Sequence, residues 1–378
     1  MSRMDRALQA SSAGAVLTVD LDAIRANWRL LAERAAADGQ SAACAGVMKA
    51  DAYGLGMDRV APALAREGCR VFFTAHLDEG IRLRGLVPPD STIYILHGGM
   101  PGTAADFVQH NLIPVLNDPG QIAEWRACAR KLDRVLPAAI QFDTGMSRMG
   151  LAPADLERLC ADPQGLDGVR PVLVMSHLAC ADEAGHPLNE HQRERFALLR
   201  ARFPGVPGSL ANSSAIFLGA GYQHDLVRPG AALYGINPHP GHPNPLRQPV
   251  QLHARIVQVR EIQAGDIVGY GARYVADGPR CIATISIGYA DGWLRALTNR
   301  GRAFIDGIEA PIAGTVSMDS ITLDASAIDS ARLAPGCEVE LLGPHQTIDD
   351  VAGQAGTIGY EVLTRLDGRF ERRYLSAE

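Results

Sequence analysis

Residues 43–48 read Ala43-Cys44-Ala45-Gly46-Val47-Met48, and they lead directly into Lys49-Ala50-Asp51-Ala52-Tyr53-Gly54-Leu55-Gly56. The first six residues are small and apolar without interruption. This pattern is typical of a parallel strand that is buried on both faces. The polar, glycine-bearing segment that follows is typical of the turn at the end of such a strand.

Lys49 stands at the junction of this strand and turn. A lysine in that position is costly to bury unless it is paired or used covalently. One interpretation is a Schiff base from Lys49 to pyridoxal phosphate (PLP), with the Tyr53 hydroxyl on the phosphate and the glycines allowing a ligand close to the backbone. Taken alone, the segment is better explained by a solvated lysine in a turn, so the choice between the two interpretations depends on the other segments of the chain.

The length and charge of the chain limit the class of protein. At 378 residues it is too long for one small core, and two domains are expected. The formal net charge is −6 and there is no basic stripe, so neither nucleic acid nor an anionic membrane surface is expected as a partner.

The cysteines and the N-terminus bear on the compartment. The seven cysteines are scattered, with no close pair at the spacing of metal ligands, so we expect no metal site and reduced thiols in the cytoplasm. Residues 1–12 lack the apolar segment of a secretory signal. No apolar run approaches the roughly 18 residues of a membrane span.

Short apolar runs alternate with helical patterns from about residue 40 to 235. Proline follows a helix-start residue at Asn117-Asp118-Pro119 and stands at a first helical position in Ala152-Pro153. Eight strand–helix units predict an α/β fold with a (β/α)8 TIM-like barrel. An open doubly wound sheet is the weaker alternative, because no Gly-x-Gly-x-x-Gly follows a strand. The predicted strands are 43–48, 70–75, 92–96, 112–116, 137–142, 171–176, 208–211 and 225–228.

A proline-rich segment at 237–245 predicts a stiff linker. Beyond it the pattern changes to alternation of apolar and polar residues, as in 251–259, with glycine turns between the strands. We therefore expect a barrel domain over 13–246 and a mostly-β domain over 247–378. Residues 1–12 are expected to form a flexible tail or an extra strand on the second domain.

Polar residues recur where the predicted barrel strands end, and barrel enzymes build their sites at that end. Individually they have ordinary explanations, such as a core histidine or a surface ion pair. Their joint position at one end of the barrel predicts a site instead. The polar and glycine-rich ends of the last two strands suit a phosphate. The residues are Lys49, Arg148, His177, Asn212, Ser213, Arg228, Gly230 and Ala231.

Nine segments resemble, in order, the motifs of the alanine racemase family, PLP enzymes that combine a (β/α)8 barrel with a C-terminal β domain. The resemblance runs from Val19-Asp20-Leu21 to Tyr360. It implies that L- and D-alanine are interconverted through a PLP aldimine by two-base proton transfer, supplying D-alanine for peptidoglycan or catabolising it. The segments are VMKADAYGLG (47–56), DTGMSRMG (143–150), SHLACAD (176–182), ANSSA (211–215), VRPGAALYG (227–235), VGYGARY (268–274), SIGYADGW (286–293), GTVSMD (314–319) and GYEVL (359–363).

The same resemblance implies a role for each matching residue. Lys49 and Tyr270 are the two bases, Lys49 for the D-enantiomer and Tyr270 for the L-enantiomer. In the family this tyrosine comes from the other subunit, so a homodimer with shared active sites is implied. Arg228 donates to the pyridine nitrogen and His177 orients it. The other implied contacts are Tyr53, Asn212, Ser213, Tyr360 and the amides of Gly230 and Ala231 around the cofactor phosphate, Arg148 and the Met318 N–H on the substrate carboxylate, and Asp182, Tyr289 and Arg295 in the entry channel.

Two residues depart from the family pattern. Gln141 stands where the family often has a carbamylated lysine, and Ser209 stands where it tends to have a histidine. The first change removes a negative charge beside Arg148, so a bound anion or a nearby acidic side chain is expected in compensation. The second is expected to weaken the support behind Arg228.

Other functions remain possible on the same architecture. A racemase of broader specificity, for serine or other amino acids, would share every motif. A PLP-dependent decarboxylase of basic amino acids is disfavoured by the lysine motif and the Tyr270 segment. A PLP-carrier protein is a barrel alone and would leave residues 247–378 unexplained.

Overall fold

The computed structural model describes residues 12–37, 41–366 and 368–376. The chain divides into two compact units, with boundaries between Ala23 and Ile24 and between Arg247 and Gln248. Residues 24–247 form one unit, and the described residues on either side of them form the other.

The unit of residues 24–247 is built on parallel strands. Seven of them form one sheet, in chain order. The eighth, Leu226–Val227, pairs in parallel with Ala43–Cys44 at the start of the barrel, and the Arg228 N–H donates to the carbonyl of Ala211 after the seventh strand. The predicted parallel barrel is thereby confirmed. The seven strands of the sheet are Gly46–Val47, Val71–Thr74, Thr92–Ile95, Ile113–Leu116, Leu136–Gln141, Val169–Met175 and Gly208–Ser209.

Helices alternate with these strands. Asp118 begins one as predicted, because its carboxylate accepts hydrogen bonds from the amides of Gly120 and Gln121, and Pro119 takes the first turn. The helices Leu21–Ala35 and Leu77–Arg84 precede the first strand of the sheet and follow the second. The remaining α-helices of this unit are Lys49–Tyr53, Met57–Glu67, Ala104–Gln109, Pro119–Leu132, Pro153–Ala161, Pro187–Arg200 and Ala220–Gln223.

The second unit is mostly β, as predicted. Its longest strand, Val250–Ile262, pairs antiparallel with three others: Ala15–Asp20, Arg280–Ile285 and Glu338–Leu342. The first of these also pairs in parallel with Glu371–Leu375. The other strands are Ile267–Val268, Tyr274–Val275, Arg302–Ile305, Ile308–Pro311 and Ile321–Asp324, and the α-helices are Ile348–Ala355 and Gly359–Arg365.

The N-terminal strand Ala15–Asp20 lies in this β sheet, although the expected barrel began at residue 13. It pairs antiparallel with Val250–Ile262 and parallel with Glu371–Leu375, and Leu17 and Val19 are fully buried. An apolar strand of six residues fits a barrel or a sandwich equally well, because its partners are set by distant segments. Apart from Ser12, the expectation for residues 1–12 falls outside the described residues.

Three predicted site residues of the β unit, Tyr270, Tyr289 and Arg295, lie in short 3-10 turns. A small hairpin pairs Ile267–Val268 with Tyr274–Val275, and a 3-10 turn at Tyr270–Ala272 forms its tip. No helix in the described ranges is both long and apolar enough to cross a membrane.

Candidate active site

Lys49 follows the first barrel strand and opens a left-handed turn. Ala50, Asp51, Ala52 and Tyr53 have φ angles between +53° and +57°. The left-handed conformation costs roughly 1–2 kcal/mol for each non-glycine residue, so four in a row must be held by their surroundings. Part of that support is local, since the Gly54 N–H donates to the Ala50 carbonyl at 2.7 Å.

The surroundings of Lys49 favour the neutral form of its amine. Burial is the main cause that lowers the pKa of its ammonium group, and the positive charge of Arg148 acts in the same direction. Glu79 opposes them and raises the pKa. A lysine with a lowered pKa is better able to accept a proton near neutral pH.

Arg228 is buried and held by four acceptors. Its Nη1 donates to Ser209 Oγ at 2.5 Å, and its Nη2 to the carbonyls of Ser176 at 2.6 Å and Leu210 at 3.4 Å and to His177 Nδ1 at 3.3 Å. The expected weakness behind Arg228 is therefore offset directly, because the Ser209 hydroxyl accepts from Arg228 and donates onward to the Leu226 carbonyl. These bonds use both Nη atoms, and no described residue accepts a hydrogen bond from the Nε–H.

The protonation states at this position are set by burial. Burial lowers the pKa of Arg228 to about 9, so the guanidinium stays charged at neutral pH. Burial, and then the positive charge of Arg228, lowers the pKa of His177 to about 3. His177 is therefore neutral, and its Nδ1 can accept from Arg228.

A buried hydrogen-bond network connects His177 with the loop that bears Arg148. Gln192, on the helix Pro187–Arg200, donates to the carbonyl of His177 at 2.9 Å and to Thr144 Oγ1 at 3.1 Å. Thr144 Oγ1 also shares a 2.7 Å hydrogen bond with Ser176 Oγ. Since Gln192 and Thr144 are fully buried, each is held by its partners.

The ends of the last two strands approach the turn after Lys49. Ser213 Oγ accepts from the amides of Gly230 at 3.0 Å and Ala232 at 3.2 Å. A Cβ on Gly230 would lie 2.3 Å from the Tyr53 hydroxyl oxygen, so only glycine allows this approach. No hydrogen bond within the described ranges uses the Ala231 N–H.

Asn212, between these groups, plays a local role. It forms a parallel bridge with Arg228, and its Oδ1 accepts from the Ala215 amide at 3.1 Å. These bonds fix the backbone next to Ser213.

The loop 143–150 is held by hydrogen bonds between its own residues. Asp143 Oδ1 accepts from the amides of Gly145, Met146 and Ser147 at 2.9–3.1 Å, which holds the segment before Arg148. The Arg148 side chain is exposed, and no carboxylate of the described ranges forms an ion pair with it. The acidic neighbour expected in compensation for Gln141 is thus not seen there. Gln141 itself is buried at the end of its strand.

The structure brings Lys49, Arg148, His177 and Arg228 together in the barrel unit, since the charges of the other three act on His177. Asp182 lies on the loop that follows His177, and its exposed side chain forms no hydrogen bond or ion pair with these four described residues. The other predicted residues, Tyr270, Tyr289, Arg295, Met318 and Tyr360, lie in the β unit.

Tyr270 is highly exposed, with 74% of its surface accessible. Its carbonyl accepts from Thr315 Oγ1 at 2.9 Å, which ties the hairpin tip to the segment 314–319. Ile267 and Val275 in the same hairpin are also more than half exposed. An exposed group of large apolar side chains is typical of a surface that another chain covers.

Tyr289 and Met318 lie on two segments that are bonded to each other. The Tyr289 and Ala290 amides donate to the carbonyls of Ser317 and Met318, both at 3.0 Å. A Cβ on Gly288 would lie 2.2 Å from the Met318 carbonyl oxygen, so this close approach requires glycine. No hydrogen bond within the described ranges uses the Met318 N–H.

Arg369 links the same two segments by ion pairs. Its Nε lies 3.0 Å from Asp291 and its Nη1 lies 2.8 Å from Asp319. Asp291 is buried and also accepts from the Gly288 amide at 2.8 Å. Arg295 is exposed in the next 3-10 turn, and Tyr360 is partly exposed in the helix Gly359–Arg365.

Sequence reasoning missed Glu79, Gln192 and Arg369. Glu79 had a signal, because it stands three residues after His76 at a helix start, the spacing of a capping box. Gln192 and Arg369 had none, since each acts on segments that are distant in the sequence.

Comparisons with known proteins agree over nearly the whole chain. Residues 19–238 match the family described as alanine racemase, N-terminal domain, and residues 249–374 match alanine racemase, C-terminal domain. A catabolic alanine racemase of Mesorhizobium japonicum is 54% identical over 365 residues, 97% of this chain and 94% of the relative. An alanine racemase of Rhodospirillum rubrum is 49% identical, over 96% of each chain. The crystal structure of alanine racemase from Bartonella henselae, with covalently bound pyridoxal phosphate, has a TM-score of 0.92 at 41% identity and covers 96% of this chain and 100% of its own.

Proposed function

Because the chain belongs to the alanine racemase family, we propose that Lys49 and Tyr270 are the two bases of its reaction. The enzyme interconverts L-alanine and D-alanine and depends on PLP. Racemisation removes a proton from one face of Cα and returns one to the other, so two groups must flank that carbon. Lys49 serves the D-enantiomer, and Tyr270 serves the L-enantiomer.

The residues at the barrel mouth fit PLP. When bound, PLP supplies an electron-withdrawing ring that stabilises the negative charge left on Cα. The Nε–H of buried Arg228 suits the ring nitrogen, because an arginine donates a hydrogen bond and keeps its proton. Tyr53, Ser213 and the amides of Gly230 and Ala231 suit the phosphate, with Asn212 behind them and Tyr360 as a further hydroxyl.

The observation that carries the role of Lys49 is its electrostatic setting. Burial and Arg148 lower the pKa of its amine, which favours the neutral form that accepts a proton. The left-handed turn fixes the backbone directly after it. Neutral His177 holds Arg228 in place without adding another positive charge.

The substrate carboxylate is bound by Arg148 and the Met318 N–H in this proposal. Arg148 offers a charge-assisted contact, and the Met318 amide donates to no other described group. Asp182, Tyr289 and Arg295 line the entry channel. A polar channel of this kind favours small side chains.

The assembly we propose is a homodimer in which Tyr270 of one subunit acts with Lys49 of the other. Its support is the exposed group formed by Tyr270, Ile267 and Val275. We also propose the cytoplasm as its location, in keeping with seven free thiols.

We further propose a catabolic role for the racemase, in which it consumes D-alanine rather than supplying peptidoglycan synthesis. The name of the Mesorhizobium relative supports this choice. A deletion strain should grow without added D-alanine but fail to use it as a carbon source. A strict requirement for added D-alanine would point to biosynthesis.

A complementation experiment tests the two bases and the assembly together. Lys49→Ala and Tyr270→Phe should each lose about 10²–10⁴ in rate, the usual contribution of a general base. If the site is shared across a two-fold dimer, a refolded equimolar mixture should regain about a quarter of wild-type activity, because half the dimers are hybrids with one intact site. In the control mixture, Thr364→Ala, which changes an exposed residue of the β unit, takes the place of Tyr270→Phe beside Lys49→Ala. The activity of this refolded mixture should equal the mean of its two components, with no gain from hybrid dimers.

Each outcome has a distinct meaning. If neither variant loses activity, the assignment of the bases is wrong. If both lose activity but the mixture regains none, the two bases lie in the same subunit.

A further inference from the structure

The turn after Lys49 depends on contacts from another part of the barrel. Its residues 50–53 are all left-handed and none is a glycine, so the conformation is not intrinsic to the sequence. The backbone hydrogen bonds within the turn and its flanks come from the amides of Ala52, Gly54, Leu55 and Gly56. The amide of Ala50, directly after Lys49, is bonded elsewhere.

That amide donates to Glu79. The distance from Ala50 N to Glu79 Oε1 is 2.6 Å, the short length of a charge-assisted bond. The other oxygen, Oε2, accepts from the amides of Ala75 at 2.9 Å and His76 at 3.1 Å, at the start of the helix Leu77–Arg84. One carboxylate therefore joins the end of the second barrel strand to the backbone next to Lys49.

Arg82 adds a second contact from the same helix. It forms ion pairs with Asp51 at 3.0 Å and with Asp58 at 2.7 Å. These side chains are about half exposed, and such pairs contribute little. The Asp51 carboxylate is also held by the Met57 amide at 2.9 Å. Among these contacts from the helix Leu77–Arg84, the Glu79 carboxylate is the one that bonds directly to the backbone of the turn.

Glu79 also acts on Lys49 through its charge. Its carboxylate raises the pKa of the Lys49 amine, against the lowering caused by burial and by Arg148. Removal of that charge would lower the pKa further and would release the Ala50 amide at the same time.

We propose that Glu79 is a positioning residue for Lys49: its carboxylate fixes the left-handed turn and thereby the lysine's direction. The inference rests on the proposed role of Lys49 as a base. It adds a residue on a different strand–helix unit, which touches neither substrate nor cofactor in this account.

The test compares Glu79→Gln with Asp78→Asn in the holoenzyme. Asp78 is the exposed neighbour in the same first helical turn, so its change removes the same charge and leaves the Ala50 bond intact. A glutamine has one acceptor oxygen, so it cannot keep the bonds on both sides. Amide hydrogen exchange of the segment 50–56, followed by mass spectrometry, should be at least about tenfold faster in Glu79→Gln only.

Kinetics supply the second readout. In Glu79→Gln, kcat should fall in both directions, and the rising limb of the kcat–pH profile for D-alanine should move to lower pH, because this limb reports Lys49 in the substrate complex. Asp78→Asn should show neither change. Ala50→Gly, which relieves the left-handed strain, should partly restore exchange protection and kcat when combined with Glu79→Gln.

Two outcomes would overturn the proposal. One is hydrogen exchange in Glu79→Gln that matches Asp78→Asn. The other is faster exchange with an unchanged kcat and pH profile, which would make the contact structural alone. The role of Lys49 as a base is tested separately. If the Lys49→Ala variant, in which Glu79 is intact, stays active, Lys49 is not a base. If Glu79→Gln does not fold, the double variant with Ala50→Gly takes its place.

Discussion

Replacement of Ser209 by alanine should destabilise the protein through the buried guanidinium of Arg228. The Ser209 hydroxyl is fully buried, accepts from Arg228 Nη1 and donates to the Leu226 carbonyl. Its loss removes one hydrogen bond to a charged group and one between neutral groups. The remaining acceptors of Arg228 are all reached through Nη2, so Nη1 is left without a partner.

The expected cost follows from these two bonds. A bond to a charged group contributes about 1.5–3 kcal/mol and a neutral bond about 0.5–1.5 kcal/mol, so the free energy of unfolding should fall by about 2–4.5 kcal/mol. Urea unfolding at pH 7, followed by far-ultraviolet circular dichroism, measures the difference.

Ser91→Ala is the matched control. Ser91 is also buried in the barrel unit, but no residue in the described part of the chain forms a hydrogen bond with its hydroxyl. Its replacement should change the free energy of unfolding by less than about 1 kcal/mol, since no bond is lost. If Ser209→Ala costs no more than Ser91→Ala, the serine does not support Arg228 and the account of this departure from the family pattern fails.

Two further predictions concern protonation and charge. Because burial lowers the pKa of His177 to about 3, its stabilising effect is complete above pH 6.5 and is lost as the pH falls towards 3. His177→Gln should therefore flatten the plot of unfolding free energy against pH on its acid side, by at most about 1.4 kcal/mol per pH unit. Urea titrations at several pH values measure this slope. An unchanged slope would contradict a buried, neutral His177. Racemisation by the wild type should not respond to bicarbonate, since Gln141 cannot be carbamylated, whereas Gln141→Lys should respond. Loss of wild-type activity on CO₂ depletion, with recovery on re-addition, would show this view of position 141 to be wrong.

The barrel could be predicted because its strands are buried on both faces and are therefore continuous apolar runs. Seven predicted segments overlap the sheet strands, and the eighth overlaps Leu226–Val227. The rule that polar residues at strand ends meet at one face then placed Lys49, Arg148, His177 and Arg228 together. Their roles as bases, cofactor contacts and substrate contacts stay proposals.

Other features depend on contacts that a sequence does not display. The left-handed turn contains no glycine between Lys49 and Gly54, so nothing local predicts positive φ angles. Glu79, Gln192 and Arg369 act through partners that are far away along the chain. The strand Ala15–Asp20 looks like any other apolar strand, and its place in the β sheet is decided by residues beyond 249.

That strand also determines the order in which the protein can be completed during synthesis. Ala15–Asp20 leaves the ribosome early, yet its two neighbours are Val250–Ile262 and Glu371–Leu375. At roughly 5–20 residues per second, the strand waits on the order of tens of seconds for its partners. Residues 24–247 emerge in the meantime, and they include all the strands of the barrel. Residues 371–375 thus pair with residues 16–20, so this edge of the sheet forms only after the whole barrel has been synthesised.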